Sequence, residues 1–208
     1  MKKIIVSIAI VLLAGSASLA QQRSLWSFNY LMSFGVGEQA DYIGKGSFRG
    51  FGIDGRGFLQ DNLSIGGTVS WEVFHEIFRN LPPQPFEIND PNTTIKGDIT
   101  GVQYRYINTI PIMVNAHYYL GSDGAVRPYF GLGIGTNYTE RRTEIGLTAF
   151  QSNTWRFAVQ PEVGIYVPFG LSSTGLNVTA RFRYAPKTSN DSLPISFFSL
   201  GVGFAFAN

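Results

Sequence analysis

The chain has 208 residues and no cysteine. That excludes a disulfide framework, a thiolate metal site, a cysteine nucleophile and a lipidated cysteine. Charge is also scarce: Asp, Glu, Lys and Arg together make 14% of the chain, where soluble domains carry about a quarter. There is no basic run and no Lys/Arg stripe, so no nucleic-acid partner is expected. After the first twenty residues no apolar run is long enough for a transmembrane helix. No long segment repeats at the helical period of 3.6. No P-loop, paired-carboxylate arrangement or metal-ligand spacing occurs, so neither cofactor nor metal is expected.

The chain is rich in aromatics, at 14%, and in glycine, with 24 residues. Its opening segment, MKKIIVSIAIVLLAGSASLA, has the three parts of a secretory signal peptide. Lys2 and Lys3 are the charged start, Ile4 to Ala14 the apolar stretch, and Ser18-Leu19-Ala20 the small-residue cleavage site. The expected organisation is a cleaved signal over residues 1–20, cut after Ala20, and one domain over 21–208. Of 16 basic residues, two are Lys2 and Lys3, so the remaining 14 balance the 14 acidic ones. The mature chain is neutral.

What repeats in the mature chain is a period of two. Eight stretches alternate, each with one bulky apolar parity and one small or polar parity. The first sets Trp26, Phe28, Tyr30, Met32 and Phe34 against Ser27, Asn29, Ser33 and Gly35. The last sets Phe198, Leu200, Val202, Phe204 and Phe206 against Ser199, Gly201, Gly203 and Ala205. Connections after the second, fourth and sixth stretches are brief. Those after the first, third, fifth and seventh are longer and polar, and the longest, about His75 to Asp98, carries Pro82, Pro83, Pro85 and Pro91. Alternating short and long connections predict an all-β, eight-stranded, antiparallel up-and-down barrel.

Which parity faces inward follows from charge. Asp54, Arg56, Glu72, Arg156, Glu162, Arg181 and Arg183 all fall on the parity of Gly, Ser and Thr. An eight-stranded barrel has room inside only for side chains, so the bulky parity points out. In water that belt would exceed what soluble monomers expose; in lipid it is solvated, and closure satisfies the backbone. Aromatics fall at both ends of the strands, as the two membrane interfaces require. Pro161 stands inside the sixth stretch, where a closed barrel has no edge to hide a missing N–H. A bulge or a broken ladder bond is expected there.

These features resemble the small outer-membrane β-barrel proteins, the group of the OmpA membrane domain, OmpX and OmpW-like barrels, and the style is similar to porin-family barrels of Bacteroidetes. The last strand resembles the class's insertion signal, with Ser199, Gly201, Phe204 and Phe206 at its positions, although Ala207 and Asn208 follow the final aromatic. The resemblance implies the cell outer membrane as location, short periplasmic turns and longer extracellular loops. It also implies outer-membrane lipid as surroundings and the barrel assembly machinery as partner during insertion.

Function is less legible. The polar lumen set comprises Asp54, Arg56, Glu72, His117, Arg127, Arg156, Glu162, Arg181 and Arg183. If Phe169 pairs with Leu176 across the sixth turn, Glu162 faces Arg183. Such a set either fills the interior as a plug or lines a small selective conduit through Arg127, Arg156, Arg181 and Arg183. A plugged barrel that interacts at its surface is the leading expectation. An OmpW-like channel for small or hydrophobic solutes is the alternative. A third class is a lipid A-modifying enzyme. One deacylase of the group uses His-x-Ser on a strand, but position 119 after His117 is Tyr, and His75 with Glu76, Ser70 and Glu72 forms only a loose constellation. No enzyme activity is therefore expected. Phe78, Leu81 and Phe86 among the prolines make the 75–98 loop a candidate contact for an extracellular partner.

Overall fold

The computed structural model describes residues 23–79, 84–90, 93–99, 101–122, 125–146, 148–170, 173–189 and 191–208. The expected signal segment and cleavage after Ala20 lie outside them, as do Leu81, Pro82, Pro83 and Pro91 of the long loop.

Alternation of bulky and small residues along each stretch yields strands, because a period of two puts each parity on its own side of a pleated sheet. Ten form: β1 (Ser24–Gly35), β2 (Ser47–Gln60), β3 (Leu63–Phe78), β4 (Gln84–Asp90), β5 (Thr93–Ile99), β6 (Gln103–Tyr119), β7 (Arg127–Ile145), β8 (Thr148–Pro168), β9 (Thr174–Ala185) and β10 (Ile195–Ala207). Among the described residues one short helix, α1 (Glu38–Tyr42), follows β1. Eight strands close in the order β1-β10-β9-β8-β7-β6-β3-β2, while β4 and β5 pair separately as a hairpin within the β3–β6 connection. The expected eight-stranded antiparallel barrel is the observed fold.

Closure joins β1 to β10 in unbroken register from Leu25↔Ala207 to Gly35↔Phe197. The seam continues past the strands, with the Ser24 amide donating to the Asn208 carbonyl at 2.9 Å. Around the middle of the barrel the outward parity is predominantly bulky and apolar. Val114 is 60% exposed, and Phe28, Ile53, Val69, Ile134, Val163 and Val202 share its situation. Aromatic pairs mark both ends of this belt. Tyr118–Phe130 and Phe28–Phe206 stand at the short-turn end, at 5.5 and 6.3 Å between ring centroids. Tyr138–Trp155 stands at the long-loop end, at 5.1 Å.

Three connections differ from expectation. The stretch after β7 is not a long loop: β7 and β8 stay paired for seven residues beyond Tyr138↔Trp155, to Ile145↔Thr148. At about 3.3 Å per residue the hairpin stands some 20 Å past the aromatic belt. Its residues Glu140, Arg142, Glu144 and Gln151 are polar, which hides a strand pattern built on hydrophobic alternation. The proline-rich loop contains the β4–β5 hairpin. The turn between β8 and β9 is tighter than expected, with the Phe169 amide donating to Thr174 and Val167, not Phe169, opposite Leu176.

Pro161 behaves as its chemistry requires. The β8–β9 ladder runs Val159↔Tyr184, then resumes at Glu162↔Arg181 in the same register. Two rungs are missing and no bulge forms. The β7 side remains continuous through Leu132↔Pro161.

Candidate functional site

The inward parity places all nine expected lumen residues inside. Asp54, Arg56, Glu72, His117, Arg127, Arg156, Glu162, Arg181 and Arg183 are each at most 4% exposed. They occupy distinct levels along the barrel.

The middle level holds two carboxylates and two guanidinium groups. Asp54, on β2, accepts from Arg181 Nη2 at 2.6 Å, Asn29 Nδ2 at 2.7 Å and Thr68 Oγ1 at 2.6 Å. Glu162, on β8, accepts from Arg56 Nη2 at 2.9 Å and meets His117 Nε2 at 3.0 Å. Arg181 Nε lies 3.0 Å from its other oxygen. The charges cancel within this group. A lone buried charge would be costly, and pairing with an opposite charge is how a buried interior tolerates it.

The expected pairing of Glu162 with Arg183 is corrected by the register. The tight β8–β9 turn shifts β9 by two residues, so Arg181 stands opposite Glu162. Arg183 is one level higher, where Nη1 donates to Glu72 at 3.0 Å and Nε to Gln160 at 3.0 Å. Above that, at the long-loop mouth, Asp191 binds Arg156 at 2.5 Å and Arg141 at 2.7 Å. At the short-turn end Arg127 donates to the Asp61 carbonyl. Its guanidinium lies over the Tyr119 and Phe58 rings, 5.0 and 5.6 Å from their centroids.

Glycine makes room for this layer. Gly131 and Gly133 face inward on β7, and a Cβ on either would overlap the His117 ring or the Asn115 amide across the strand pair. Small residues on one strand make room for long polar ones on the next in this narrow lumen.

Apolar clusters flank the middle charged level on both sides. At the short-turn end Leu25, Phe58, Tyr119, Tyr129, Tyr166 and Ala205 pack together. At the long-loop end Ile43, Phe74, Ile107, Met113, Ala158, Ala185, Ile195 and Phe197 do the same, with Tyr42 and Leu193 against them. Burial pushes the Tyr42 phenol above its ordinary pKa, against the opposing pull of its Thr143 hydrogen bond and of Arg141 and Arg105.

Several members of the network were absent from the sequence-derived set. Tyr129 accepts from Arg56 Nη2 at 3.1 Å and donates to Asn177 at 3.0 Å. Gln160 bridges Arg183 and Glu162, and Asn29 links Asp54 to Asn177. All carry the inward parity, which was the available signal. Asp191 lies in a connection with no periodicity, and only the fold brings it to Arg156.

The two histidines are not brought together. His117 faces Ser64 across the β3–β6 pair, but neither Ser64 Oγ nor His117 Nδ1 makes a hydrogen bond among the described residues. Both side chains are enclosed in the wall. His75 points outward and stacks on Tyr106 at 4.5 Å, away from Ser70 and Glu72 on the inward parity. Ser70 donates to Glu72 instead, at 3.1 Å. Among the described residues no group of His, Asp and Glu is arranged to hold a metal ion.

The outer membrane protein beta-barrel domain family matches residues 7–206. The chain belongs to that family. This outer-membrane barrel is similar in fold to the N-terminal β-barrel domain of Pseudomonas aeruginosa OprF. The TM-score is 0.51 at 13% identity, covering 90% of this chain and 98% of that one. It is also similar to the attachment invasion locus protein Ail of Yersinia pestis, with a TM-score of 0.49 and 11% identity over 89% and 99% of the two chains. For OprG of Pseudomonas aeruginosa the values are 0.49 and 12%, over 90% and 96%. No curated protein matches the sequence. Family and fold place this barrel in the outer membrane.

Proposed function

We propose that this outer-membrane barrel acts at its outer surface and not as a conduit. The observation carrying this reading is the Asp54–Arg181–Glu162–Arg56 group, in which each charge crosses the lumen to a partner and all four side chains are buried. A solute passing through would have to separate these buried ion pairs. Apolar clusters above and below add a second barrier. On this reading the membrane wall is a scaffold for the β7–β8 hairpin and the 75–98 connection, which supply contact surface. The protein is not read as an enzyme, since His117 and Ser64 lack access to a substrate.

The test is conductance in planar bilayers. The intact barrel is expected to give no steady single-channel current. A steady current that Arg181→Glu or Arg183→Glu alters would mean that the lumen conducts and that the small-channel reading holds instead.

A further inference from the structure

The connection between β1 and β2 does not run outside the barrel; it folds back over the long-loop mouth. Its helix α1 carries Gln39, fully buried, and is followed by Ile43, also fully buried. Ile43 enters the apolar cluster with Phe74, Ile107, Met113 and Phe197. Tyr42 packs on that cluster from above, between two cations, with Arg105 and Arg141 at 4.8 and 5.4 Å from its ring centroid. The segment is a stopper with an apolar underside.

Hydrogen bonds hold it along its length: Val36 exchanges two with Ser196, and the Tyr42 hydroxyl meets Thr143 Oγ1. Gln39 Oε1 accepts the Ser196 amide at 2.9 Å, and Arg105 Nη1 donates to the Tyr42 carbonyl at 2.9 Å. Glu76 accepts the Gly44 amide at 2.7 Å. Lys187 pairs with Glu38 at 2.9 Å on the exposed surface, where such a pair contributes little. Glycines flank the helix on both sides, Gly35 and Gly37 before it, Gly44 and Gly46 after it. Gly37 adopts a φ of 58°, a conformation that other residues rarely take. A five-residue helix with glycines at both ends has little stability of its own, so its position depends on the contacts just named.

We infer that residues 36–46 form a hinged lid which opens and closes an apolar chamber at the long-loop mouth, separately from the charged layer beneath. Lifting it moves Tyr42 and Ile43 out and leaves Phe74, Ile107, Met113, Ile195 and Phe197 facing the outside. The Glu72–Arg183 pair then forms the chamber's floor. The chamber's walls are apolar and the charges at its floor and rim are paired with one another, so it suits an aliphatic or aromatic group entering from outside. The inference rests on the closed-lumen reading in one respect only: the floor stays shut when the lid lifts.

Because the chain has no cysteine, one introduced thiol reports on one place. Met113→Cys puts it under the lid, at a site 2% exposed. Ala205→Cys puts it in the buried cluster at the other end. The barrel is inserted in lipid nanodiscs and treated with a charged methanethiosulfonate. With Gly37→Ala in the lid, the left-handed backbone disfavours closure, and labelling of Met113→Cys is expected to accelerate about tenfold. Tyr42→Ala is expected to accelerate it as well, and Ala205→Cys to stay unchanged in both. Gel mobility without boiling confirms that each variant is a closed barrel. Should Tyr42→Ala fail to assemble, Glu76→Gln, which weakens the hold on Gly44, serves in its place. Equal labelling of Met113→Cys in every lid background overturns the lid. A parallel rise at Ala205→Cys also overturns it, because the whole barrel has then loosened. Bilayer current separates the two readings: current that appears when the lid lifts overturns the closed lumen and leaves the lid standing.

Discussion

Arg56 and Glu162 lie 106 positions apart in sequence and meet at 2.9 Å across the lumen, from β2 to β8. These strands are not neighbours in the barrel, so the contact crosses the interior and does not follow the wall. It exists only when the ring is closed.

That contact makes Glu162→Gln costly. The substitution leaves Arg56 and Arg181 with one carboxylate, Asp54, between them in a dry interior. A loss of about 3 kcal/mol is expected, as for breaking other buried pairs. Urea titration of the folded band on unboiled gels measures it. Adding Arg56→Met to Glu162→Gln should restore part of the loss, since the orphaned cation is gone. A double variant less stable than either single one contradicts this account.

Glycines of opposite parity should respond differently. Gly131→Val directs its side chain into the His117 ring and is expected to cost about 1–3 kcal/mol or to prevent assembly. Gly67 faces lipid, where a Cβ meets only the Met113 carbonyl at 3.4 Å. Gly67→Ala should assemble as the parent does. The folded fraction recovered after refolding into detergent compares them.

The belt can be probed at its centre. Val114 is outward on β6, between the Tyr118 and Tyr138 levels. Val114→Arg is expected to destabilise by about 2–4 kcal/mol in a bilayer. The same change in a soluble barrel's exposed face would cost almost nothing, so this measurement tests the membrane placement directly.

At the mouth, Asp191 pairs with two guanidinium groups. Asp191→Asn leaves the Arg156 side chain, fully buried, without a counter-charge. About 1–3 kcal/mol should be lost. The connection between β9 and β10 should become sensitive to protease, with the wall strands still protected. Cleavage sites mapped by mass spectrometry distinguish local release from general loosening.

Much of this architecture was legible because a barrel wall is a simple reader of sequence. Parity alone assigned Asp54, Arg56, His117 and the rest to the inside, since one-residue slips would carry a charge into lipid. The same rule could not set the partner of Glu162. A slip of two residues keeps every parity intact, and only the tight turn from Phe169 to Thr174 decides between Arg181 and Arg183. Above the membrane the rule lapses altogether. Water accepts both faces of β7 and β8, so Glu140 to Glu144 carry no alternation to read. Asp191 and α1 were out of reach for the same reason: their positions follow from contacts with residues far off in the chain. Pro161 was readable from its missing donor, and its effect stayed local because the β7 side of β8 is unaffected.

The packing of Gly131 and Gly133 against His117 and Asn115 has an evolutionary corollary. Outside, one aliphatic or aromatic group can replace another freely, since fluid lipid adapts to any shape. Inside, volume and charge are each held to a fixed sum. A larger residue on one strand calls for a smaller one opposite, and a new cation calls for a new anion. Sequence drift in this barrel should therefore be single and unlinked on its outer surface, and come as compensated pairs within.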